Sequence, residues 1–137
     1  MHQRAGSKNI VELHGSAWRL RCDHCETVID DHNPEHYNNW KCDNDHWLRP
    51  DIVWFNDFLI PAVAKMADEI ISKSDLFISI GTSGVVWPAA GFPQIASSNG
   101  ATLIEINPEP SEQSGLYDHV FRGKASDMLK TIFGNPN

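Results

Sequence analysis

Apolar positions beyond Pro50 follow two rhythms. Pro61 is followed by Ala62, Val63, Met66, Ala67, Ile70 and Ile71, a helical spacing with proline in the first turn. Asp75-Leu-Phe-Ile-Ser-Ile80 is a short apolar run ended by Gly81, and it predicts a buried strand. Pro88 to Ser98 predicts a helix carrying Ala89, Ala90, Phe92, Ile95 and Ala96, stopped by Asn99-Gly100. Its Pro93 is tolerable only near the first turn. Thr102-Leu-Ile-Glu-Ile106 predicts a second strand. Val120-Phe121 is a short apolar piece before a last helix with Met128, Leu129, Ile132 and Phe133, closed by Gly134. Strand–helix–strand with a short helix implies a parallel pair and a right-handed crossover. In open parallel sheets ligands gather at the carboxyl ends of strands. Two polar clusters stand there: Gly81-Thr82-Ser83-Gly84 and Asn107-Pro108-Glu109.

Residues 18–49 break both rhythms. They hold all three cysteines, four of the seven histidines and three of the five tryptophans, with hardly any helical or alternating pattern. Such a segment has little means of building a core and needs a staple, for which a metal is the obvious candidate. Cys22-x-x-Cys25 and Cys42 give three quarters of a zinc-ribbon spacing. Sixteen residues separate Cys25 from Cys42, inside the ~15–20 typical of such ribbons. Where a fourth cysteine would fall stand Asp45 and His46, and either side chain can bind zinc in a four-ligand site. The competing reading makes the cysteines small core residues.

Other candidates are weaker when taken singly. Glycines in the Gly81–Gly84 cluster let a ligand approach the backbone, and Thr82 and Ser83 offer hydroxyls to ribose or phosphate. It is neither a GxGxxG fingerprint nor a P-loop. Asn107 is either a turn residue before Pro108 or an amide for a ribose hydroxyl. His14, in Glu-Leu-His-Gly-Ser, is more often a structural histidine, although its titration range suits proton transfer.

Composition narrows the class. The 137 residues are 41% hydrophobic and 21% charged, which excludes a wholly disordered chain. Eleven Lys+Arg against 18 Asp+Glu give a net charge of −7. That balance argues against direct nucleic-acid binding, which draws its affinity from basic residues. No apolar run reaches the ~18–20 residues of a membrane span. The first residues lack the apolar core of a secretory signal. With an odd number of cysteines, this favours a metal site over disulfides and a cytoplasmic location.

Taken together, the residues resemble one family, the sirtuins, which are NAD-dependent protein-lysine deacylases. The resemblance runs through Ile10-Val-Glu-Leu-His-Gly15, Cys22-x-x-Cys25, Cys42, Leu48-Arg-Pro-Asp-Ile-Val-Trp-Phe55, Ile80-Gly-Thr-Ser-Gly84, Pro88-Ala-Ala90 and Glu105-Ile-Asn-Pro-Glu-Pro110. The short zinc insert and the Ser-Gly after Gly-Thr are similar to the bacterial branch. The resemblance implies an α/β fold: a partial Rossmann-like parallel sheet with a small zinc-ribbon module. It implies segments at 1–17 (catalytic histidine), 18–49 (zinc module) and 50–137 (second half of the NAD-binding domain). By the same resemblance His14 matches the general base, and Cys22, Cys25, Cys42 and Asp45 match the zinc ligands. Gly81, Thr82, Ser83, Asn107, Pro108, Glu109 and Ala125 match NAD contacts. Ile52, Val53, Trp54 and Phe55 match the stretch that pairs with an acyl-lysine peptide as an added strand. The implied reaction removes acyl groups from lysine, releasing nicotinamide and O-acyl-ADP-ribose, with zinc purely structural.

Two departures shape the expectation. The family's glycine-rich loop and Gln-Asn-(Ile/Val)-Asp motif do not occur in these residues, and Asn56-Asp57 stand where Gly-Glu is usual. The reading is therefore a truncated deacylase of impaired activity alone. Its alternative is a non-catalytic zinc-binding remnant or interaction module.

Overall fold

A computed structural model describes residues 2–3, 5–30 and 40–134, and residues 31–39 of the module read at 18–49 lie outside the described residues. The chain divides into two units, Met1–Lys65 and Met66–Asn137.

In the first unit, β1 (Gly15–Cys22), β2 (Val28–Asp30) and β3 (Leu48–Ile52) form an antiparallel sheet in the order β2-β1-β3. Sequence rhythm hides these strands. Ser16 pairs with Asp51 and Leu20 with Pro50, so residues 17–19 bulge out of the pairing with β3 and the alternation is lost. Pro50 is tolerated because β3 is an outer strand. The core consists of Leu20, Cys22, Cys42 and Leu48, flanked by Cys25, Ile29 and Trp40. Two of its four buried members are cysteines, so the sheet has few apolar side chains to rest on.

In the second unit, β4 (Leu76–Ile80), β5 (Thr102–Ile106) and β6 (His119–Phe121) form a parallel sheet in the order β4-β5-β6. Helix α1 (Pro61–Ile71) ends here, α2 (Phe92–Ser98) crosses from β4 to β5, and α3 (Ala125–Phe133) is closed by Gly134. The helix expected over 88–98 begins as a 3₁₀ turn, Ala89–Gly91. Pro93 falls in the first turn of α2, where its missing N–H breaks no intrahelical bond. Ala96, Ala101 and Leu103 form the core, with Ile71, Phe77, Leu116 and Tyr117 against it.

One expectation is corrected. The run at 75–80 reads as a buried strand, yet Leu76 and Ile80 are 45% and 43% exposed. Among the described residues β4 has a single neighbour, β5, so an apolar sequence lies at a sheet edge.

Candidate metal centre, base and cofactor loops

Cys22 ends β1, Cys25 follows in the next turn, and an isolated bridge between Lys41 and Trp47 closes the loop that carries Cys42 and His46. The ligand atoms of Cys22, Cys25, Cys42 and His46 all lie within 4.8 Å of one another. Cys25 Sγ is 3.6 Å from Cys42 Sγ, and Cys42 Sγ is 3.8 Å from His46 Nδ1. A tetrahedron with metal–sulfur bonds of ~2.3 Å has edges of roughly 3.8 Å, so the group fits zinc. The Cys25 thiol is drawn down to about 5, first by its hydrogen bond with the Thr27 hydroxyl and then by Cys22 and His46. Near neutral pH that favours the thiolate, the form that binds metal. Burial pushes the Cys22 thiol up.

Asp45, matched to the fourth ligand by resemblance, is outside this group. Its N–H donates to Cys42 C=O in a turn with Asp45 at φ +62°. The carboxylate is 83% exposed and lies 2.6 Å from Lys41 Nζ. His46, one residue on, enters the cluster and stacks on His24 with ring centres 4.7 Å apart. Adjacent residues on a turn face different ways, and only the backbone angle selects between them.

His14 is exposed and precedes the bulged strand. The Val53 N–H donates to its carbonyl at 3.0 Å. Gly15, at φ +76°, makes this approach possible: a Cβ there would lie 2.1 Å from the Asp51 carbonyl oxygen. Arg19 fastens the same corner. It pairs with Glu12 through Nη1 and with Asp51 through Nε at 2.9 Å. The residues matched to base and substrate strand, His14 and Ile52–Phe55, are thus joined within one unit. Trp54 and Phe55 are exposed. At the departure Asn56-Asp57, Asn56 takes φ +79°, the left-handed conformation that asparagine accepts more readily than most residues. Asp57 N–H donates to Trp54 C=O at 3.0 Å, and Asp57 Oδ2 accepts from Trp54 N–H at 3.2 Å.

The second unit contains the matched cofactor residues. Gly81 (φ +62°), Thr82 and Ser83 follow β4, while Asn107, Pro108 and Glu109 follow β5. The loops are tied together. Asn107 Nδ2 donates to Thr82 C=O at 2.9 Å, and Gly81 N–H donates to Ile106 C=O at 2.9 Å. This leaves Oδ1 as the remaining polar atom of the Asn107 amide. A Cβ at Gly81 would meet nothing within 4 Å, so there is room at that backbone for a dinucleotide to approach. Ala125 is the first residue of α3.

Beneath the second loop lies a group that spacing does not reveal. Glu105 is 2% exposed. It pairs with Arg122 at 2.8 Å and accepts from Ser114 Oγ at 2.6 Å and from Ser111 Oγ. Arg122 also donates to the carbonyls of Asn107 (3.4 Å) and Glu109 (3.2 Å). Burial acts to raise the Glu105 pKa, but the hydrogen bonds from Ser111, Ser114 and Arg122 outweigh it and leave the pKa below the ordinary value. A glutamate inside the apolar run Thr-Leu-Ile-Glu-Ile was the one available signal.

Residues 1–88 match the model of the Sir2 family. The NAD-dependent protein deacylase 2 of Pyrobaculum aerophilum is 44% identical over 135 residues, covering 96% of this chain and 53% of that protein. A crystal structure of a Sir2 homologue–NAD complex matches with a TM-score of 0.89 and 38% identity, over 96% of this chain and 52% of the other. A Sir2–p53 peptide–NAD+ structure matches with a TM-score of 0.86 and 28% identity, over 96% and 57%. The chain spans about half the length of the curated relatives it matches. Among the described residues no helix is long and apolar enough to cross a membrane. The family model covers well over half of the sequence, including the metal cluster and the histidine corner, and this chain belongs to the Sir2 family.

Proposed function

We propose that this chain carries the base, the metal module and two cofactor loops of a cytoplasmic NAD-dependent protein-lysine deacylase. The observation behind the proposal is the corner at His14. A histidine is fastened by its own carbonyl to the N–H of Val53, just past the end of the outer strand β3, and the stretch Ile52–Phe55 is read as the one that receives an extended peptide. When bound, NAD supplies the electrophilic ribose carbon from which nicotinamide leaves. His14 takes the proton from a ribose hydroxyl, the task of an imidazole general base. Gly81, Thr82 and Ser83, with Asn107, Pro108, Glu109 and Ala125, hold the dinucleotide. Ile52, Val53, Trp54 and Phe55 align the acyl-lysine peptide. Zinc on Cys22, Cys25, Cys42 and His46 is structural. With one water consumed, the products are free lysine, nicotinamide and O-acyl-ADP-ribose.

The glycine-rich loop and the Gln-Asn-(Ile/Val)-Asp motif are absent from this sequence, so these 137 residues alone are expected to turn over little substrate. The test joins the chain to a segment supplying both motifs and measures O-acyl-ADP-ribose formed from acetyl-lysine peptide and NAD. Turnover should appear and fall about 10²–10⁴-fold in His14→Ala with the fold retained. Undiminished turnover in that variant would place the base elsewhere. No turnover in the parent, with zinc bound, would favour a non-catalytic interaction module.

A further inference from the structure

In the first unit the side chain of Arg49 links the turn between two of the clustered cysteines to residues 50–57, beside Arg21, which pairs with Asp23 and Asp51. Arg49 Nε donates to Asp23 Oδ2 at 2.6 Å, and Asp23 lies between the ligands Cys22 and Cys25. The other end of the same guanidinium reaches the strand. Nη1 donates to Ile52 C=O at 3.0 Å and Pro50 C=O at 3.3 Å, and Nη2 lies 3.6 Å from Asp57 Oδ2. That carboxylate oxygen accepts the Trp54 N–H, and the Asp57 backbone N–H is held by Trp54 C=O.

Strand alternation gives these contacts their meaning. Val53 turns its N–H inward to His14, so the polar groups of Ile52 face the outer edge, while Trp54, past the end of β3, closes a turn with Asp57. An added peptide strand would meet that edge. Arg49 fixes the Ile52 carbonyl directly and, through Asp57, fixes both polar groups of Trp54. A guanidinium is a rigid planar fork, so a shift at Asp23 moves all of its donors together. Lysine, with a single flexible ammonium, cannot span these acceptors.

We propose that Arg49 is a positioning residue that couples the metal-binding turn to the outer edge of residues 52–57. Its meaning for substrate rests on reading 52–55 as the peptide strand; the coupling itself does not. The ion holds the turn, the turn holds Asp23, Asp23 aims the fork, and the fork presets the edge.

The test is amide hydrogen exchange in the zinc-loaded 137-residue chain. Asp23→Asn keeps the side-chain shape and removes the charge from the remote end, with no direct contact to 52–57. It should raise exchange at the Trp54 and Asp57 amides roughly three- to tenfold while leaving β1–β2 amides such as Leu20 unchanged. Arg49→Lys should give the same pattern with one zinc still bound. The proposal is overturned if Asp23→Asn leaves Trp54 and Asp57 as protected as in the parent. Loss of zinc from that variant would also overturn it, by showing that Asp23 serves the ion alone. Should Arg49→Lys fail to fold, Asp23→Asn decides by itself. If both variants behave as expected but acyl-lysine peptide never protects these amides in the motif-supplied protein, the coupling stands and the substrate reading fails.

Discussion

The two sheets meet a shortage of core in opposite ways. In the antiparallel unit the buried apolar cluster among the described residues is Leu20, Leu48 and two cysteines, and the ring of Arg19, Arg21 and Arg49 with its carboxylates lies nearer to solvent. Ion pairs of that kind contribute little, so the main fastening there is the four-ligand cluster. In the parallel sheet, Ala96 of α2 packs with Ala101 and Leu103, and one buried carboxylate collects Ser111, Ser114 and Arg122 beneath the loop at 107–109. One sheet is stapled by coordination. The other is stapled by hydrogen bonds to a charge that burial alone would disfavour.

Chelation should break this symmetry most. Structural zinc contributes about 10 kcal/mol or more to small modules. A strong chelator should erase backbone dispersion in the amide spectrum for Leu20 and Leu48 while Leu103 and Ile104 keep theirs. Equal loss in both units would remove the distinction. Metal analysis of protein purified without chelator should find about one zinc per chain.

Next in size come single side chains. Gly15→Ala should cost about 3 kcal/mol or more, since left-handed strain alone costs about 1–2 and the new Cβ would also drive into the Asp51 carbonyl. Its effect should fall on the first unit and on exchange at Val53. Glu105→Ala strips the loop of its central acceptor and should cost about 2–3 kcal/mol, reduced from a fully buried pair because Arg122 is partly exposed. Denaturant unfolding of the second unit would register it without change in zinc content.

The pH response separates the units more gently. Glu105 titrates below its ordinary value of 4.5 in the folded chain. Its stabilisation is therefore full above that value and is lost as pH falls through the lower folded value. Acid unfolding of the second unit followed by β5 amides should show this loss, and Glu105→Gln should flatten it. The smallest effect is expected at Asn56→Gly, within about 1 kcal/mol, because relief of left-handed strain offsets added chain entropy.

What could be read from sequence divides along the same line. The helices at 61–71 and 125–133 are legible because each repeats its apolar residues at a helical period, and β5 at 102–106 because it is a short apolar run between Asn99-Gly100 and Asn107-Pro108. The antiparallel strands are not, because the bulge at 17–19 breaks alternation and Pro50 sits inside β3. The three cysteines of the cluster were legible from Cys-x-x-Cys spacing, and His14 and the two loops were singled out by the order of motifs along the chain. The fourth member of the cluster was not legible, because Asp45 and His46 both stand where spacing would put it. Arg49 gave no signal, because its partner Asp23 is 26 residues away and a lone arginine in a strand looks like any surface charge.

The bare flank of β4 also has a practical consequence. Among the described residues no strand pairs with Leu76–Ile80 on the side away from β5, beside two exposed apolar side chains. Such an edge recruits whatever strand arrives first. The yield of this polypeptide in solution should therefore depend on concentration: dilute chains wait for a proper neighbour, and crowded ones find each other.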